Sequence, residues 1–207
     1  MLSQLSGLII HLIQSTGYLG VFILMTLESM LLPIPSEVTM PFAGFLTQQG
    51  HLAFWVVVAV GAIGNLLGSL IAYALGYFLE ESFILTFIKK YGKFILISEH
   101  EYLRALKWFQ KYGNSVTFFS RLLPVVRTFI SLPAGLAEMN IWKFSVYTFV
   151  GSFLWSAILT WIGYTLGNNW ESIHPFFQKF QIIIVLLLLV GAVGYIMKKL
   201  NLIGKKK

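Results

Sequence analysis

The sequence predicts an all-α integral membrane protein, a single domain over 1–207. It is built as an inverted repeat of a re-entrant helical hairpin followed by a transmembrane helix, with an extra C-terminal transmembrane helix. Three observations predict this. The chain is 57% hydrophobic and 11% charged, with mean hydropathy +0.78, far from the balance of a soluble domain. Three uncharged apolar runs, about 54 to 79, 144 to 167 and 180 to 197, are long enough to cross ~30 Å of hydrocarbon. Two further apolar stretches, about 17 to 49 and 115 to 139, are broken by proline and charge, and they match each other when the chain is shifted by 91 residues.

The matches are Ser29-Met-Leu-Leu-Pro33 with Ser120-Arg-Leu-Leu-Pro124, Ala43-Gly44 with Ala134-Gly135, and Tyr73-Ala-Leu-Gly76 with Tyr164-Thr-Leu-Gly167. They define repeat one at about 17–82 and repeat two at about 113–172, followed by a C-terminal span at about 177–199. The first 15 residues lack Lys and Arg, so the cationic start of a cleavable signal is missing and they are taken as part of the mature chain. In repeat one, residues 18–32 form a half-helix of roughly 22 Å and residues 39–49 one of roughly 16 Å, neither long enough to cross. Pro33 and Pro35 end the first half, because proline lacks an amide donor and disfavours helix in the residue before it. Thr39-Met-Pro41 restarts it, with Thr39 as cap and Pro41 in the first turn, ahead of Gly44. In repeat two Pro124 ends one half and Ser131-Leu-Pro133, ahead of Gly135, restarts the other. Between the repeats, residues 99–111 read as an amphipathic surface helix.

Charge sets the topology. Apart from Arg121 and Arg127, the 15 basic residues fall in the 80–113 segment, at Lys143 and Lys179, or in the tail. By the positive-inside rule the tail and 80–113 are cytoplasmic, and 1–17, 47–53 and 168–176 lie outside. The net charge of +7 is thereby a membrane-orienting charge and calls for no nucleic acid. The first hairpin then dips in from outside and the second from the cytoplasm, the arrangement of secondary transporters whose half-helices meet at mid-depth around a substrate. Irregular backbone at that depth must be buried in protein or line a wet cavity.

Four charges lie deep in the apolar stretches: Glu28, Glu37, Arg121 and Arg127. Each costs about 2.5–3.5 kcal/mol at the bilayer centre, and apolar contacts would join two hairpins without that cost, so a functional role is expected. Two arginines six residues apart across Pro124 converge on one anion, and arginine binds phosphate through a planar fork. Ser120, Thr128 and Ser131 add hydroxyls, and helix starts near Thr39 and Ser131 add free amides. Glu28 and Glu37 would pair with the arginines or exchange protons. Asn65 and Tyr73 are polar candidates to line the cavity, on a span whose Gly61, Gly64, Gly68, Ala72 and Gly76 permit close packing; Gly151, Ser152, Ser156, Thr160 and Gly163 do the same in the second, and the alternative for both rows is that they line a lipid headgroup path. With no cysteine and four scattered histidines, neither a metal site nor a cofactor site is expected.

The strings "GYLGVFILMTLESMLLPIPSEVTMPFAGFL", "GNLLGSLIAYALGY" and "FFSRLLPVVRTFISLPAGLAEM" resemble the DedA family of bacterial inner-membrane proteins, which is related to eukaryotic VTT-domain lipid scramblases. The resemblance implies lipid translocation, with undecaprenyl phosphate returned to the cytoplasmic leaflet for cell-wall synthesis. It implies a functional acidic pair, matched here by Glu28 and Glu37, and an arginine pair, matched by Arg121 and Arg127. Where some members carry aspartate after Pro-Gly, this chain has Pro35-Ser36-Glu37, as in the branch that looks like undecaprenyl phosphate translocases.

A second reading is a translocase or scramblase of phosphatidylethanolamine or another phospholipid, and a third is a structural membrane protein assisting envelope complexes. An enzyme is not expected. Lipid phosphatases resemble a Ser-Arg string followed by a catalytic histidine, but Arg127 stands at that place here, and a nucleophile without a base has no hydrolytic chemistry. The lipid carried, coupling to protons or another ion, and homo-oligomer formation stay open on sequence grounds.

Overall fold

The computed structural model describes residues 2–32, 34–79, 99–123 and 126–173, with single positions beyond. The C-terminal span, the tail lysines, segment 80–98 and the breaking prolines Pro33 and Pro124 lie outside these residues. Every described element is helical. In chain order they are α1 (Leu2–Thr16), α2 (Tyr18–Ser29), α3 (Ser36–Gln48), α4 (Phe54–Phe78), α5 (Glu99–Ser120), α6 (Val126–Phe129), α7 (Ser131–Leu136), α8 (Ile141–Leu166) and a 3-10 segment (Gly167–Ile173).

Helices α4 and α8, with 25 and 26 residues, reach about 37–39 Å and are apolar enough to cross a membrane. Asn140 starts α8 by accepting from the amides of Trp142 and Lys143 at 3.1 and 3.2 Å, the bond that makes asparagine a preferred cap. Gly167 closes it at φ 53, where a side chain would be strained. Helices α2 and α3, with 12 and 13 residues, reach only about 18–20 Å. Leu67, Leu75, Val150, Leu154 and Ile158 stand exposed on the outer faces of α4 and α8, as an apolar solvent requires.

Three boundaries differ from those expected. Helix α3 starts at Ser36 behind an extended Pro35, so Thr39 lies a turn inside and caps nothing; its hydroxyl bonds back to the Pro35 carbonyl at 3.3 Å. Pro41 also lies within α3, near enough to its start that only one ladder bond is lost. Residues 99–120 form one unbroken helix, so the amphipathic segment and the first leg of the second broken stretch are continuous. Residues 2–16 are also helical, and Ile9 and Ile13 pack into the core.

Glycines decide how the elements meet. A Cβ on Gly44 of α3 would overlap the Thr160 carbonyl of α8, and one on Gly163 would overlap the Pro41 carbonyl. Likewise a Cβ on Gly135 of α7 would overlap the Tyr73 carbonyl of α4, and one on Gly76 the Leu132 carbonyl. Thus α3 lies directly on α8 and α7 directly on α4, backbone against backbone. Gly135 follows Gly44 by 91 positions, but Gly163 follows Gly76 by 87. The contacts therefore pair Gly76 with Gly163, one helical turn before the Gly167 that the sequence match selects. A four-residue slip is nearly a full turn and leaves the same face inward, which is why the match shows no sign of it.

Gly163→Ala adds a methyl against a backbone carbonyl that cannot rotate away. It is expected to cost about 3 kcal/mol, the upper part of the overpacking range, and to lower the unfolding midpoint in detergent by about 6–12 °C. Gly7→Ala, which lies within α1 and meets nothing within 4 Å, is the control and should leave the midpoint unchanged or raise it by up to about 4 °C, since alanine favours a helix over glycine.

Two apolar clusters form the core. One gathers Ile9, Ile13, Val21, Met25, Met40, Leu159 and Trp170; the other gathers Tyr73, Phe109, Ala134 and Phe144. Along α4 and α8 a buried polar layer separates them, holding Asn65 and Ser69 on α4 and Thr148, Ser152 and Ser156 on α8.

Candidate functional site

The polar layer is filled from broken helices. Helix α2 stops at Ser29, placing Glu28 and Ser29 at its end; α3 opens with Ser36 and Glu37; Arg121 follows α5, Arg127 sits on α6 and Ser131 starts α7. All seven are buried. On α4, Asn65, Ser69 and Tyr73 recur once per turn, and the first two meet side chains from these chain breaks.

Arg127 donates through Nη2 to Glu28 Oε2 and to Asn65 Oδ1, both at 2.9 Å. It is 3% exposed and its Nη1 has no partner. The indole of Trp155 on α8 lies 5.7 Å from its Cζ and donates through Nε1 toward Ser36 Oγ at 3.5 Å. The other oxygen of Glu28 accepts the Ser36 amide at 3.3 Å. One carboxylate therefore bridges the start of α3 and the guanidinium of α6, with negative charge where the helix dipole favours it. Ser29 Oγ donates to the same Asn65 Oδ1 at 2.7 Å.

Arg121 is committed to the frame. Its Nη1 donates to Ser69 Oγ at 2.9 Å and to the Arg127 carbonyl at 3.0 Å, and its Nη2 to Ser131 Oγ at 3.0 Å. Phe144 covers its face at 5.6 Å. Only Nε is left without a partner. One side chain thus ties the 121–131 connection to α4.

Of the expected residues, Glu28, Asn65, Arg121, Arg127 and Ser131 are brought together. Glu37 stands beside them, accepts from Ser36 Oγ at 3.5 Å, and forms no ion pair among the described residues. Ser120 donates to the Thr117 carbonyl of its own helix and does not reach the arginines. Thr128 is half-buried. Tyr73 donates to the Met139 carbonyl at the far end of α4, beside a cavity of about 570 Å³ that Tyr77, Glu138 and Asn140 also line. The amides near Thr39 expected to receive an anion are taken: those of Val38 and Thr39 bond to the Pro35 carbonyl. The amide that faces the site is that of Ser36. At the other expected start, the Ala134 amide is bonded to Ile130, because α7 continues from α6 with little break. Pro35 fixes the extended entry to α3, and Pro133 and Gly135 lie within α7. No group of acidic or imidazole side chains fit for a metal occurs among the described residues.

Ser29, Ser36, Ser69, Phe144 and Trp155 were given no role in the site by the sequence. Ser69 had a signal, lying midway between Asn65 and Tyr73 on a one-per-turn row; Trp155 had none, since its role needs both α3 and α6 to reach it.

A VTT domain family model matches residues 34–165. A curated relative from Staphylococcus aureus, named undecaprenyl phosphate transporter A, is 31% identical over 196 residues, 93% of this chain and 97% of the relative. One of the same name from Bacillus subtilis is 33% identical over 191 residues, 92% of each. A Lactococcus lactis relative named alkaline phosphatase-like protein is 34% identical over 182 residues, 87% of this chain and 85% of its own. No solved structure matches the chain.

Proposed function

The chain belongs to the VTT-domain (DedA) family of membrane proteins, and from that premise we propose that it carries undecaprenyl phosphate from the outer to the inner leaflet of the cytoplasmic membrane. The observation that carries this reading is the Glu28 carboxylate, held between Arg127 and the Ser36 amide. An oxyanion already occupies a nest of one guanidinium and one helix-start amide. A phosphate has the same charge sign and more acceptor oxygens, and Arg127 keeps an unused Nη1 with which to receive it in a fork.

In this mechanism the headgroup enters from the outer leaflet while its polyprenyl tail stays in lipid. The phosphate displaces Glu28 from Arg127, and Glu28 reclaims the guanidinium when the phosphate leaves. The exchange avoids ever leaving Arg127 unpaired in a low-dielectric interior. The reciprocal seating of α3 on α8 and α7 on α4 supports an inverted repeat whose halves rock against each other, as alternating access requires. Positive charge in 80–113 and the tail supports a cytoplasmic C-terminus. Hydrolysis forms no step of this reading: of the site's hydroxyls, Ser29 is spent on Asn65 and Ser131 receives Arg121, and the Ser36 hydroxyl beside Glu37 also receives the Trp155 indole N–H.

The test is transfer of undecaprenyl phosphate across liposomes holding the purified protein, with phosphatidylethanolamine and released inorganic phosphate measured alongside. Faster transfer of the polyprenyl phosphate than of phosphatidylethanolamine, without phosphate release, is expected; equal rates would replace the reading with general scrambling. Glu28→Gln removes the competitor and the returning partner together. Both the half-saturating lipid concentration and the maximal rate should fall, the latter by about 10-fold or more, the worth of one charge-assisted bond. Unaltered kinetics in Glu28→Gln and Glu37→Gln would rule out carboxylate exchange.

A further inference from the structure

Helix α8 carries a second row of hydroxyls, at Thr148, Ser152, Ser156 and Thr160, one per turn and all buried, with exposures of 0, 2, 0 and 0%. It differs from the row on α4 in one respect. Asn65, Ser69 and Tyr73 each hold a partner, whereas Thr148 Oγ1, Ser156 Oγ and Thr160 Oγ1 have none. Hydroxyls in helices commonly bond back to the carbonyl four residues earlier, as Thr26, Ser145 and Thr165 do here. The three on α8 do not. A buried polar group without a partner is costly enough to be rare, and three in line on one helix face point to an occupant.

The chemistry of that occupant follows from the other unpartnered groups. They are Arg127 Nη1, Arg121 Nε and Asn65 Nδ2, all N–H donors. Among the described residues no buried side-chain carbonyl or carboxylate oxygen is left over. The hydroxyls can donate or accept, but the three unpartnered nitrogens only donate, and two of them belong to guanidinium groups that repel a cation. An oxyanion is therefore the matching ligand.

The row lies along the site. Gly151, one residue from Ser152, backs onto Arg121, Trp155 lies over Arg127, the Ser156 hydroxyl lies at Gly61 where Met40 also sits, and the Thr160 backbone carbonyl lies against Gly44 of α3. From Thr148 to Thr160 the rise is about 18 Å, with a hydroxyl about every 6 Å. Beside this row α3 brings Met40, which meets Gly61 next to Ser156, and the Gly44 backbone, and it makes no hydrogen bond to the Ser156 or Thr160 hydroxyl; moving α3 would uncover the row and release the contacts that Ser36 makes with Trp155 and Glu28.

Resting on the transport reading above, we propose that Thr148, Ser152, Ser156 and Thr160 form a donor-lined wall along which an oxyanion headgroup passes to and from Arg127. The shared chemistry is a phosphate group, on a polyprenyl lipid or free as inorganic phosphate.

The chain has no cysteine, so single cysteines report without background. Thr148→Cys, Ser152→Cys, Ser156→Cys and Thr160→Cys, with the lipid-facing Leu154→Cys as control, are reconstituted in liposomes and treated with a membrane-impermeant, charged thiol reagent. The expected result is labelling at the row at least 10-fold faster than at Leu154→Cys, slowed several-fold by undecaprenyl phosphate. A companion variant, Ser156→Ala with Thr160→Val, keeps volume and fold and should lower transfer at least 10-fold. Row cysteines no faster than Leu154→Cys, or that variant transferring at the wild-type rate while the wild type transports, would overturn the proposal. Protection by inorganic phosphate in a protein that transfers no lipid would sustain the oxyanion wall and overturn the lipid reading instead.

Discussion

Arg127→Ala is expected to lower undecaprenyl phosphate transfer in liposomes by at least about 100-fold. The side chain makes two bonds of 2.9 Å in a site closed to water, and bonds involving a charged group contribute about 1.5–3 kcal/mol each. If the phosphate replaces both, losing them costs about 3 kcal/mol or more, which is two decades of rate or beyond. The alanine also strands Glu28 as a buried charge, and removing one member of a buried pair costs about 3–5 kcal/mol of stability. The double variant Glu28→Gln with Arg127→Ala separates the two effects. It should regain most of the lost thermal stability and none of the transfer. Arg127→Lys keeps the charge but not the fork and should fall between wild type and alanine. Wild-type transfer by a folded Arg127→Ala protein would eliminate the displacement mechanism.

Arg121→Ala should act first on the fold. Three donors of this side chain hold Ser69, Ser131 and the Arg127 carbonyl across two helices and a connection. Leaving them unmet, with a void against Phe144, is expected to cost about 4 kcal/mol or more. In a chain of this length that lowers the unfolding midpoint by about 8–16 °C. Transfer should fall too, because Arg127 loses the tether on its own carbonyl. The distinction from Arg127 lies in the pairing of effects: a large stability loss for Arg121→Ala that no change at Glu28 restores. Lysine at 121 reaches one of the three acceptors and should recover only part of the midpoint. A protein with Arg121→Ala that melts like wild type yet no longer transfers lipid would place Arg121 on the substrate instead.

These two expectations treat as different a pair that looks alike in the chain. In sequence Arg121 and Arg127 are equivalent cations flanking Pro124, both suited to phosphate. Their separation into a frame residue and an exchangeable one comes from partners 52 and 99 positions away, distances over which no local pattern carries information.

What the sequence determined by itself is whatever depends on solvent and on local backbone chemistry. Apolar runs longer than a bilayer is thick, prolines that deny an amide, and four charges too costly to bury idly are legible one residue at a time, and they marked α4, α8, the entry to α3 and the polar layer. The tertiary structure decided what depends on which surfaces meet. It moved the start of α3 from Thr39 to Ser36 and joined 99–111 to the leg that follows. It slipped the Gly76 match by one turn, brought Trp155 over Arg127, and left the hydroxyls of Thr148, Ser156 and Thr160 on α8 without partners while Asn65 and Ser69 on α4 are engaged. A helix presents the same face every 3.6 residues, so its sequence announces that a face will be buried; against what, only the packing of distant segments decides.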